Sequence, residues 1–189
     1  MATTAISASR SPVSPIISLL CSSGESLAYK PGSLLLAEIE DDAARMIWWN
    51  KQRPDLAVLN LQAENTLISL LGIEMIEVGD DWLRARMPVD SRTHQPFGRL
   101  HGGATVALAE TVASIASSNC IDRERVGVVG MEINANHVRP AYAGWVYATA
   151  RPESMGRTMQ VWSIRIEDEA GKLVSIARMT AAVIDRARK

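Results

Sequence analysis

One acid, Glu110, stands in a run that is otherwise uncharged: residues 103–118 read GATVALAETVASIASS. The run is rich in Ala, Leu, Val and Ile and has no Pro, the composition of a helix apolar on nearly all sides. Such a helix must be buried on nearly all sides. A lone carboxylate there is costly unless something pairs with it, and no basic residue lies within four positions. The types around it suit acid–base or nucleophilic work at a carbonyl. Ser114 sits at i+4, on the same helix face. Thr111 is adjacent, and its hydroxyl can bond the preceding turn instead. The helix opens at Gly102-Gly103, where no side chain blocks approach to unpaired N–H groups carrying roughly half a positive charge. A carbonyl placed there is polarised as its oxygen gains negative charge. Glu110 is about two turns further on, so the sequence leaves its distance from that oxygen open. The bland alternatives are a Glu paired to a distant Arg, or one exposed at a groove.

Two neighbours carry double readings. His101, just before Gly-Gly, either caps the helix or touches the reacting group. Gln95, beside Pro96, is either a loop amide or a hydrogen-bond donor to the carbonyl.

Positioning these groups requires the following elements. Residues 56–71 carry Leu59, Leu67, Leu70 and Leu71 at near-helical spacing, with Gly72 as a stop: a short helix or two helical turns. Residues 73–78 and 82–87 read as strands joined at Gly79-Asp80-Asp81, and in the second Leu83, Ala85 and Met87 alternate with Arg84 and Arg86. Residues 88–101 hold Pro88, Pro96 and Gly98 and read as a loop. After the central helix come strands over Val126–Val138, Gly144–Arg151, Thr158–Asp168 and Leu173–Ile184; in the third, Trp162, Ile164 and Ile166 alternate with polar residues. A curved antiparallel sheet wrapped around one long helix is the natural packing, an α+β fold.

Composition narrows the function classes. Lys+Arg is 20 and Asp+Glu 21, a balance that gives no reason to expect nucleic acid or an anionic membrane as partner. Cys21 and Cys120 are too few and too far apart for a disulfide framework and read as inert thiols. His94, His101 and His137 lack metal-ligand spacing, so no metal is expected. Residues 1–45 form a separate zone. The first 24 contain no acid, several Ser, Pro12, Pro15 and a short apolar run, Ile16–Cys21. That resembles a transit peptide or weak secretory signal, but Arg10 is its sole basic residue. The plainer expectation is a poorly ordered extension, or a native start at Met46. The domain is expected over 46–189.

The segment from Pro88 through Arg92-Thr-His-Gln-Pro-Phe-Gly-Arg-Leu-His-Gly-Gly-Ala104 to Leu108-Ala-Glu-Thr111 resembles hotdog-fold thioesterases of the phenylacetic-acid-degradation type. It is most similar to those acting on 1,4-dihydroxy-2-naphthoyl-CoA and 4-hydroxybenzoyl-CoA. The similarity runs from about Met46 to about Asp185 and takes in Val129-Gly-Met-Glu-Ile-Asn-Ala-Asn-His-Val-Arg139 and Gly156-Arg-Thr-Met-Gln-Val-Trp162.

The resemblance implies a hotdog fold and acyl-CoA thioester hydrolysis on an aromatic acyl group, without metal or cofactor, coenzyme A being part of the substrate. It implies Glu110 as nucleophile or general base and the Gly102 N–H as the group polarising the carbonyl. Gln95 and His101 assist at the thioester, and Ser114 helps hold the water or the surroundings of the leaving group. The coenzyme A arm is implied along Gly130, along His137, Val138, Arg139 and Pro140, and along Ser154, Met155, Gly156, Arg157, Thr158 and Met159. Arg139 and Arg157 suit phosphate, because guanidinium matches its geometry. Pro140 removes one backbone donor from that strand.

The family implies a homodimer of hotdogs assembling to a tetramer, with Gln95 and Glu110 of one site on opposite chains. Pairing also covers exposed sheet edges. The resemblance further implies a cytoplasmic enzyme, organelle-targeted if residues 1–45 are a transit peptide, with menaquinone synthesis one setting among several. Two alternatives are weighed: a hotdog hydratase or dehydratase, against which the motif context stands, and a non-catalytic acyl-CoA binder, against which Glu110, Ser114 and Gln95 stand.

Overall fold

The computed structural model describes residues 46–186. The expectations for residues 1–45 and for Cys21 lie outside the described residues, as do residues 187–189.

The leading helical stretch is two short helices. α1 (Leu56–Gln62) starts where the Asp55 side chain accepts the Ala57 N–H, and α2 (Leu67–Leu71) starts at a capping box between Thr66 and Ser69. Asn65, at φ 59°, breaks the path between them, and Gly72, at φ 68°, ends the second as expected.

Six strands form one sheet: β1 (Glu74–Val78), β2 (Leu83–Pro88), β5 (Val126–His137), β6 (Trp145–Met155), β7 (Met159–Asp168) and β8 (Leu173–Asp185). Their order is β1-β2-β6-β7-β8-β5, every pairing antiparallel, with β1 and β5 at the edges. The stretch read as loop contains a hairpin of its own, β3 (His94–Gln95) with β4 (Arg99–Leu100), which turns at Gly98 with φ 70°. β6 runs four residues past its expected end. Pro152, which has no N–H to give a ladder, sits at a register shift between Pro152 and Ser154 that lets the strand continue. Ser154 and Met155 are therefore strand residues.

The central helix α3 (Gly102–Ser118) packs on the inner face of this sheet. The alternations read from sequence point inward: Leu83, Ala85 and Met87 from β2 and Trp162, Ile164 and Ile166 from β7 are all buried. Ala148, Ala150, Ala177 and Ala181 of the sheet and Ala109, Ala113 and Ala116 of the helix belong to the same buried core as Trp162. One polar cluster ties helix to sheet: buried Gln160 accepts hydrogen bonds through Oε1 from the Ser117 hydroxyl and the Trp162 indole N–H.

All-round burial of α3 is not met within one chain. Its buried residues, Thr105, Leu108, Ala109, Val112, Ala113, Ala116 and Ser117, form one side. Gly103 and Glu110 are exposed, and Val106, Ala107, Thr111 and Ser114 are half-buried. A single sheet covers one side of a helix and leaves the other open.

Candidate active site

The start of α3 is held from three directions. The His101 N–H donates to the Thr93 carbonyl at 2.8 Å, and Leu100 N–H donates to Ala141 at 2.8 Å. Thr93 is buried, and its hydroxyl donates to the Pro88 carbonyl at 2.8 Å. His101 is the helix N-cap: its Nδ1 accepts the Gly103 N–H at 2.8 Å. The structural reading of His101 thus holds, and it corrects the picture of two free glycine N–H groups. Gly103 is engaged, and Gly102 keeps its N–H at the first helical position.

Gly102 lines a cavity of about 320 Å³ with Gln95, Thr105, His137, Arg139 and Pro140 among its neighbours. The Gln95 Oε1 accepts the Phe97 N–H within the hairpin turn, which leaves its amide NH2 as the donor end. Gly102 and Gln95, which carry a backbone and an amide donor, therefore line the same cavity. The His137 ring lies directly over Gly102: a Cβ there would stand 2.9 Å from His137 Nε2. Arg139 spends one N–H on the Leu173 carbonyl at 3.0 Å, and Val138 is exposed. Pro140 lies three residues beyond the end of β5, so it removes no ladder bond from that strand, against the expectation from sequence.

Glu110 does not line this cavity. It is exposed at the margin of α3 beside the edge strand β5, rather than in an apolar interior. At 1.5 Å per residue it lies roughly 12 Å along the helix from Gly102. Its Oε1 faces Gly130 of β5 instead. Ser114 shares that side of the helix, but its hydroxyl donates to Met179 Sδ at 3.5 Å and not to Glu110.

The second stretch expected along coenzyme A sits elsewhere. Gly130 pairs with Ala181, Ala181 with Gln160, and Gln160 with Met155. Met155 is thus on the same transverse row as Gly130, three strands away, roughly 14 Å at about 4.8 Å per strand. His137 is seven positions further along β5, roughly 23 Å. One chain therefore keeps His137–Pro140 and Ser154–Met159 apart. Met155, Gly156 and Arg157 border a separate groove of about 1050 Å³ with Arg125 and Arg186. Gly156 is required by its turn, since a Cβ would meet the Met159 carbonyl oxygen at 2.8 Å. Thr158 accepts the Val183 N–H at 2.9 Å, and Met159 is exposed.

Sequence reading missed Ser175. It is buried, sits opposite His137 in the β5–β8 register, and its Oγ lies 3.2 Å from His137 Nδ1. The available signal was a hydroxyl on the inward face of a strand whose other inward residues are Ala177, Met179 and Ala181.

Residues 97–175 match the model of the thioesterase superfamily. The 1,4-dihydroxy-2-naphthoyl-CoA hydrolase of Escherichia coli is 48% identical over 139 residues, which is 74% of this chain and 100% of that protein. The chain belongs to the thioesterase superfamily. A proofreading thioesterase of Cronobacter turicensis is 47% identical over 139 residues, 74% of this chain and 99% of that protein. The crystal structure of a mutant thioesterase from Pseudomonas aeruginosa is 49% identical, covers 74% of this chain and 99% of that one, and superposes with a TM-score of 0.72. This thioesterase has the hotdog architecture expected from its sequence, one long helix against an antiparallel sheet, and it is a thioester hydrolase. Among the described residues no helix is long and apolar enough to cross a membrane.

Proposed function

We propose that this thioesterase hydrolyses aromatic acyl-CoA thioesters of the 1,4-dihydroxy-2-naphthoyl or benzoyl type, at a site built from two chains. The observation that carries this reading is the split of the chemistry. Gly102 and Gln95 line one cavity, whereas Glu110 is exposed outside it, roughly 12 Å along the helix. A thioester oxygen bound by the two donors gains charge in the tetrahedral transition state and is stabilised there. The carboxylate must then come from a second copy, whose Glu110 faces this cavity. Either that carboxylate attacks the thioester carbon and expels the CoA thiolate as an acyl-Glu110 anhydride forms, or it takes a proton from the water that attacks. Both routes place Glu110 within reach of the carbonyl carbon.

Two surface features support pairing of chains. β5 is a sheet edge whose exposed stretch, Val129–Glu132, includes Met131 at 65% exposure. Phe97, the single Phe of the chain, is 80% exposed beside Gln95. Such edges and apolar side chains are normally covered. A homodimer assembling to a tetramer covers both, and also brings His137–Pro140 of one chain and Ser154–Met159 of another into reach of one coenzyme A arm. His101 then orients the Gly102 end by capping, and Ser114 borders the side from which Glu110 acts.

The aromatic preference rests on similarity to the naphthoyl-CoA hydrolase. Thiol release measured with 1,4-dihydroxy-2-naphthoyl-CoA, benzoyl-CoA, phenylacetyl-CoA and a medium-chain acyl-CoA tests it. Aromatic thioesters should show the highest kcat/KM; a preference for the aliphatic chain contradicts the acyl assignment. Hydration of a crotonyl thioester without thiol release contradicts hydrolysis itself.

A further inference from the structure

We propose that Ser175 is a positioning residue that fixes the tautomer of His137, so that His137 presents an unprotonated Nε2 to the cavity as an acceptor for an N–H of the substrate. The Ser175 Oγ has two neighbours, the Asn136 carbonyl at 3.1 Å and His137 Nδ1 at 3.2 Å. A carbonyl only accepts, so the single hydroxyl proton goes to Asn136, and Ser175 Oγ is left to accept from the ring. The ring proton then belongs on Nδ1. Nε2 carries the lone pair, and it lies over Gly102, where a Cβ would stand only 2.9 Å away. The helix start agrees with this choice: a ring N–H aimed at the positive end of α3 is repelled, and a lone pair is attracted. Ser175 has no exposure of its own, so it reaches the cavity only through His137.

The group that complements an acceptor beside the thioester is an amide N–H. In a coenzyme A thioester one amide lies two carbons from the sulfur, on the leaving-group side. The assignment rests on the reading of the substrate as an acyl-CoA, and it adds a specific contact that a simple alkyl thioester lacks. His101 is the internal contrast, because its Nδ1 accepts from Gly103 and its ring proton is therefore on Nε2.

Two measurements test this. In the wild-type protein labelled with 15N-histidine, ring-nitrogen spectra at about pH 8.5, above the usual histidine range, should show His137 as the Nδ1–H tautomer and His101 as Nε2–H. The His137 signals are assigned by their loss in His137→Gln. An Nε2–H ring at His137 overturns the assignment, and this reading needs no folded Ser175 variant. Ser175→Ala should then release His137 to the Nε2–H form. It should raise KM for benzoyl-CoA about five-fold, the size of one ordinary hydrogen bond, with kcat within about two-fold. KM for S-propyl thiobenzoate, which has no amide, should stay unchanged. An equal rise for both thioesters, or none for either, contradicts the acceptor role. If the wild type releases thiol from no CoA thioester, the substrate reading fails while the wild-type spectrum still decides for or against Ser175.

Discussion

Glu110 Oε1 lies 3.1 Å from the point that a Cβ on Gly130 would occupy. The outward carboxylate of the central helix thus rests over the one residue in the exposed Val129–Glu132 stretch that has no side chain. Gly130 has no positive φ, so its backbone accepts alanine. Gly130→Ala should press on the carboxylate and move it by a few tenths of an ångström. Because positioning is sensitive to such shifts, kcat/KM should fall about ten-fold. Stability should change by no more than about 0.5 kcal/mol, as at other exposed positions. Thermal unfolding together with thiol-release kinetics checks both; full activity would show that the contact plays no part.

The proposed two-chain site makes a prediction that no single-chain site shares. Gln95→Ala and Glu110→Gln should each be nearly inactive alone. Co-expressed, they should regain activity, because one of the two sites in a mixed dimer then has both wild-type groups. Random pairing gives about half mixed dimers and so about a quarter of wild-type turnover. Activity no higher than that of either parent would place both groups in one chain's site.

The Ser117–Gln160–Trp162 cluster should matter for stability more than for chemistry. Gln160→Leu keeps the volume but leaves a buried hydroxyl and an indole N–H without an acceptor. The expected loss is about 2–4 kcal/mol in urea unfolding. A loss under about 0.5 kcal/mol would mean that the two donors find other partners.

Burial pushes the Cys120 thiol up to about 12. The folded thiol keeps its proton where the unfolded thiol, at its ordinary value of about 8.5–9, loses it. The unfolded state then binds fewer protons, so stability falls as pH rises. The contribution is complete below about pH 8 and is lost progressively from about pH 9 towards 12, at no more than about 1.4 kcal/mol per pH unit. Unfolding of Cys120→Ala should lack this component above pH 9, and native Cys120 should resist iodoacetamide at about pH 8. Rapid native alkylation at Cys120 would contradict it.

The strand alternations were legible because burial on one sheet face forces period two: Leu83, Ala85 and Met87, and Trp162, Ile164 and Ile166, all point inward as read. The helix start at Gly102 and the stop at Gly72 were legible from local chemistry. The surroundings of Glu110 were not. Helix composition reports that a face avoids water, but not whether sheet or a second chain covers it. The same limit hid the separation of His137 from Met155, which follows from strand order rather than from either motif. Ser175 escaped notice because its contact with His137 appears only when β8 is laid beside β5 in register.

The central claim is that Glu110 carries thioester hydrolysis. The most direct measurement is thiol release from benzoyl-CoA by wild type and Glu110→Gln, each at saturating substrate. The amide keeps the shape and removes both the nucleophilic charge and the base. A loss of about 10³-fold in kcat with the fold intact is the expected result. Near-normal turnover by Glu110→Gln would contradict it.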